Sequence, residues 1–145
     1  MGAMSALPAR AAEGPLQFYT ITPCRVVDTR LIGDVQGRYG PYLTSGTVRK
    51  FPVRGNCGIP ADARAVSLNV TGVGPSDQGH LVLFPSGTAA PRASNLNFDA
   101  SMPAVANGAI VGLSSSDPND LSVLPNLLNN GRLDIVLDVT GYFKP

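Results

Sequence analysis

The chain has 145 residues, a formal net charge of +1, and only 14% charged against 43% hydrophobic residues. That length suffices for one domain with a sizeable core. Near-neutrality without a basic tract excludes a nucleic-acid surface, which needs clustered cations, and no apolar run is long enough for a membrane-spanning helix.

Met1-Gly2-Ala3-Met4 reads as an expression scar. Residues 1–14 are small and Ala/Pro-rich and read as a flexible N-terminal arm. A single β domain is expected over 15–145. Within it, short apolar stretches recur between turn signals: Leu16 to Ile21, Arg25 to Arg30, Thr47 to Val53, Ala65 to Thr71, His80 to Phe84, Asn95 to Phe98, Ala109 to Leu113, Leu121 to Leu124 and Leu133 to Thr140. Nine short strands at this spacing predict an all-β sandwich or jelly-roll-like domain. Asn107-Gly108 and Asn130-Gly131 are the strongest tight-turn signals. Pro60 to Arg64 has room for one helical turn, and no longer segment holds a 3.6-residue period.

The stretch from Ile32 to Ser45 is Gly-rich and carries Tyr39 and Tyr42 around Gly40-Pro41. It reads as a long exposed loop, the kind of segment that carries recognition. Tyr39 and Tyr42 are candidate ligand contacts; the alternative is that they fold back and cover the sheet edge.

The pentapeptide Leu68-Asn69-Val70-Thr71-Gly72 recurs as Leu137-Asp138-Val139-Thr140-Gly141. Each copy alternates apolar and polar residues with period two, so each is a strand with one dry face. The glycine is expected to end or bend it. Asn69 and Asp138 then occupy equivalent outward places, Asn97 sits similarly in Leu96-Asn97-Phe98, and Asp28 and Arg30 share a face two residues apart. A polar cluster of Asp28, Arg30, Asn69, Asn97 and Asp138 follows. It is either a ligand floor with Arg30 as a forked donor or a structural network that fixes strand register.

Cys24 and Cys57 are the only cysteines and His80 the only histidine, too few for a structural zinc site. Both cysteines sit beside turn residues, and a Cys24–Cys57 disulfide is preferred over two buried thiols. Ser114 to Asp120 is an oxygen-rich loop that calcium could favour, yet its spacing is not that of an EF-hand and its composition is ordinary turn chemistry, so no cofactor or metal is assigned. No nucleophile elbow, zinc-protease, Walker or dinucleotide motif is present, and the chain is read as non-enzymatic.

The ordered set Pro23-Cys24-Arg25-Val26-Val27-Asp28-Thr29-Arg30, Cys57-Gly58-Ile59-Pro60, Ala65-Val66-Ser67-Leu68-Asn69-Val70-Thr71 and Asp138-Val139-Thr140-Gly141-Tyr142-Phe143 resembles a β-rich domain of secreted and cell-surface bacterial proteins. The resemblance covers about Phe18 to Phe143. It implies a secreted or surface location, a disulfide between the two matching cysteines, and an accessory or adhesion role without an established activity. The expected function is a non-catalytic extracellular binding module that recognises a cell-surface glycan or protein through Tyr39, Tyr42 and Arg30. The alternative is a structural piece that assembles as a homo-oligomer, in a fibre or surface layer.

Overall fold

The computed structural model describes residues 14–32 and 35–145. The predicted N-terminal arm therefore lies almost wholly outside the described residues. The strands are β1 (Gln17–Asp28), β2 (Leu31–Ile32), β3 (Val35–Gln36), β4 (Leu43–Thr44), β5 (Arg49–Phe51), β6 (Ala65–Val73), β7 (Gly79–Pro85), β8 (Leu96–Phe98), β9 (Ala104–Gly112), β10 (Leu121–Leu127) and β11 (Arg132–Lys144). All pairings are antiparallel. One sheet runs β1-β11-β6-β9, with β4 also on β11; the other runs β5-β10-β7-β8. The all-β sandwich expectation holds.

Alternation builds the core. Val66, Leu68 and Val70 of β6 and Leu133, Ile135, Leu137 and Val139 of β11 are buried and pack in one cluster with Leu81, Leu83, Leu96, Phe98, Leu121 and Val123 of the other sheet. Burying side chains of this size stabilises by about 1.5–3 kcal/mol each. The two pentapeptides are direct neighbours: β6 and β11 pair with Asn69 opposite Asp138.

Neither pentapeptide glycine ends its strand. β6 runs on to Val73 and β11 to Lys144. Each glycine instead gives up space to a larger neighbour. A Cβ on Gly72 would sit 3.2 Å from both Leu96 and Leu133 side chains, and one on Gly141 would collide with the Phe18 ring. Thr140 forms a bulge between Val139 and Gly141 and donates from Oγ1 to Ser67 O at 3.2 Å.

Two expected strands at the N-terminus are one. β1 carries register shifts between Thr20 and Cys24 and between Arg25 and Val27. The second shift makes Val26 and Val27 both buried. It puts Asp28 on the same face as Arg25, three residues away, so strict alternation through Arg25 to Arg30 does not hold.

The Asn107-Gly108 turn expectation also fails. Both residues lie inside β9, which pairs with β6 over nine residues without interruption. Turn propensity is local, and the ladder overrides it. At Asn130-Gly131 the chain does turn, but the positive φ angles fall on Asn129 (55°) and Asn130 (53°). Pro60 to Arg64 makes one turn, closed by Ala63 N donating to Pro60 O at 3.1 Å.

The disulfide joins Cys24 of β1 to Cys57 in the β5–β6 connection, with Cα atoms 5.9 Å apart. In the chain-entropy model a loop of this length contributes about 3–4 kcal/mol.

Candidate binding site

The predicted polar cluster forms in part, and with an added member. Arg30 makes a forked contact with Asp28: Nε to Oδ1 at 2.9 Å and Nη2 to Oδ2 at 2.8 Å. Arg25 donates from Nε to Asp138 Oδ1 at 2.9 Å and lies 3.5 Å from Asp28. The Arg30 hydrogen bonds hold the Asp28 carboxyl below the usual carboxylate range, against the opposing effect of its burial. Asp138 in turn raises Arg25. Arg25 was missing from the sequence reading because only the bulge brings it onto the face of Asp28. Asn69 faces the cluster from β6 and bonds Thr71 Oγ1 at 3.4 Å. Asn97 does not join: it sits on β8 of the other sheet, opposite His80, and accepts from Ser94 Oγ at 2.7 Å. Matching local parity says nothing about which sheet a strand enters.

Arg25, Asp28, Arg30 and Asp138 each have a charged partner within this network. Thr29 extends it, donating from Oγ1 to Asp134 Oδ1 at 2.8 Å and accepting from Ile135 N at 2.9 Å. Gly37 lies so close to the Asp28 and Arg30 carbonyl oxygens that a Cβ there would overlap both. The connection returns over β1 through its backbone, with Gly37 N donating to Arg30 O at 2.8 Å.

The Tyr39–Tyr42 segment divides. It is not one open loop, since β2, β3 and β4 form within it and Leu43 is fully buried. Tyr39 turns inward and meets Phe51 edge-on, ring centroids 6.1 Å apart. Arg49 clamps the backbone beneath, donating to Tyr39 O at 2.6 Å and Pro41 O at 3.0 Å. Tyr42 stays exposed, with the Arg132 guanidinium 4.5 Å above its ring. Of the three predicted ligand contacts, only Tyr42 keeps an accessible ring. Arg30 is committed to Asp28, and Tyr39 to the core edge.

A cleft lies at the oxygen-rich Ser114 to Asp120 loop. It has a volume of about 710 Å³ and is lined by Arg54, Ala61, Arg64, Ser115, Ser116 and Asp117, among others. Its walls are the β5–β6 connection and the β9–β10 connection. A buried knot ties them together. Asp120, 3% exposed, accepts from Val53 N at 2.6 Å, Arg54 N at 2.8 Å and Arg54 Nη1 at 2.5 Å. Arg54 also donates to Ala63 O and Ser114 O, at 2.8 and 2.7 Å. Ser114 Oγ accepts from Ser116 N and Asp117 N, which turns the Ser115 and Ser116 side of the loop toward solvent. The disulfide fixes the first wall to β1 from behind.

Both carboxylates of the calcium candidate loop are spent on cations. Asp120 binds Arg54, and Asp117 Oδ2 accepts from Lys50 Nζ at 2.7 Å. Lys50 and the Asn119 backbone N–H hold the Asp117 carboxyl below its ordinary range. Among the described residues no group of three His, Cys, Asp or Glu side chains is placed to hold a metal, and no helix is long and apolar enough to cross a membrane. His80 contacts Asn126 Nδ2 through Nε2 at 3.3 Å. Comparison with protein-family models, curated proteins and solved structures finds no match.

Proposed function

We propose that this domain is a non-catalytic, extracellular binding module of a bacterial surface protein, and that it recognises glycan hydroxyls in the cleft between Arg64 and the Ser115–Ser116 loop. The observation that carries the reading is the Asp120–Arg54 knot. It fixes two irregular segments as the walls of a cleft in the size range of small-ligand sites. Binding to preset walls avoids the ordering cost that a mobile loop would incur. Ser115 and Ser116 hydroxyls offer both donors and acceptors to a polyol.

The same geometry argues for binding without hydrolysis. A paired-carboxylate glycosidase needs one carboxyl kept protonated as general acid, with a raised pKa. Asp117 is pushed the other way by Lys50. The disulfide fits an oxidising compartment.

The test is calorimetric titration with neutral, N-acetylated and uronic-acid oligosaccharides. At least one class is expected to bind, and Ser116→Trp, which fills the cleft from an exposed position, is expected to abolish that binding. Tyr42→Ala is expected to leave it unchanged. Loss in Tyr42→Ala with full binding in Ser116→Trp would move the site to the Tyr42–Arg132 face.

A further inference from the structure

The four edges of the two main sheets are not treated alike. β5 and β8 are three residues long. β1 is interrupted by two register shifts and carries Pro23 and Arg25. Short strands, bulges, prolines and charges are the usual devices that keep a sheet edge from pairing with another chain. β9 has none of them. Its nine residues, Ala-Val-Ala-Asn-Gly-Ala-Ile-Val-Gly, include no charge and no proline, and its ladder with β6 contains no shift. Ala104, Ala106, Asn107, Gly108 and Ile110 are exposed, Ile110 at 68%. The Asn107 side chain reaches back to donate to Asn95 O at 3.0 Å, so it does not stand out from the edge.

We infer that β9 is a homodimer interface, in which two copies of this chain pair β9 to β9 antiparallel about a two-fold axis at Gly108. The occupant is a second copy because the strand complements itself. In this register, the one that pairs all nine residues, the exposed Ile110 lies against Ala106 of the second copy, and Ala104 against Gly112. On the inner face Val105 meets Val111. Large residues oppose small ones on the outer face, and no like charges meet. No side chain blocks the axis, since a Cβ at Gly108 would touch nothing. The pairing is isologous and closes at two, so it makes a dimer with a continuous sheet, not a fibre. It does not rest on the reading of the cleft, whose second wall begins just after β9 at Leu113.

Sedimentation equilibrium of the full chain, from low micromolar to near-millimolar concentration, tests it. The expected result is a monomer–dimer equilibrium. The variant carrying Ala106→Lys and Ile110→Lys sets like charges opposite each other twice, and is expected to weaken the dimer by about tenfold at low salt. The variant carrying Ala106→Glu and Ile110→Lys sets opposite charges there, and is expected to restore it. These positions lie about 14 Å apart along one strand, so the two charges do not face each other within a monomer. A strict monomer throughout would overturn the inference and leave the edge to a foreign strand or to none. A dimer indifferent to both pairs, or growth beyond the dimer, would overturn it equally.

Discussion

The two Arg–Asp arrangements of this fold use the same chemistry in different surroundings. The Arg25–Asp138 and Arg30–Asp28 contacts lie along a sheet face, where Arg25 is half exposed. Water competes for the cations there, and exposed ion pairs are worth little. The Arg54–Asp120 pair lies between two connections, with Asp120 enclosed and also receiving two backbone N–H groups. Removing Asp120 takes the acceptor from two backbone N–H groups at an enclosed position. The face network joins β1 to β11 through Arg25 and Asp138. The enclosed pair shapes the cleft.

The largest effect that would break this contrast belongs to the knot. Asp120→Ala is expected to cost about 3–5 kcal/mol in urea unfolding, since it removes the acceptor of two backbone N–H groups and the counter-charge of the half-buried Arg54 guanidinium. A loss below about 1 kcal/mol would place Asp120 in the same class as the face pairs. Next comes the brace behind the cleft. Replacing Cys24 and Cys57 together by Ser is expected to cost about 3–4 kcal/mol, read as a fall in the urea midpoint.

Asp28 sharpens the contrast from the other side, because it is the most enclosed charged member of the face network. Asp28→Asn is expected to cost about 1–2 kcal/mol at neutral pH, as charge-assisted hydrogen bonds are lost. The sign of its pH dependence follows from the depressed carboxyl. Its stabilisation is fully present above the unfolded value of about 4, and is lost as pH falls through the lower folded value. Thermal melts of wild type and Asp28→Asn should therefore converge on acidification; a gap that stayed constant would remove the charge from the explanation. The smallest effect is Arg25→Ala, expected to cost under about 1 kcal/mol and to shrink further in salt.

Period-two alternation made β6 and β11 legible, and β7 and β10 were legible as short apolar runs between turn signals. Bulges were not legible. The one after Arg25 makes Val26 the extra residue and brings Asp28 onto the face of Arg25, and so hid Arg25 as a member of the cluster. Asn107-Gly108 misled because it is a turn signal held straight by nine residues of ladder. The knot escaped notice because Asp120 ends a run of Ser, Asp, Pro and Asn that reads as solvated turn. The available signal was its position: in a chain this poor in charge, Asp120 stands directly before an apolar strand.

The reading of the cleft as the recognition surface rests most heavily on where a ligand touches. Amide chemical-shift mapping of the full chain, titrated with the oligosaccharide class that binds best, reads that contact residue by residue. The expected result is a set of shifts confined to Arg64, Ser115, Ser116 and Asp117, with Tyr42 and Arg132 unmoved. Shifts centred on Tyr42 and Arg132, or no saturable shifts with any of the three classes, would contradict it.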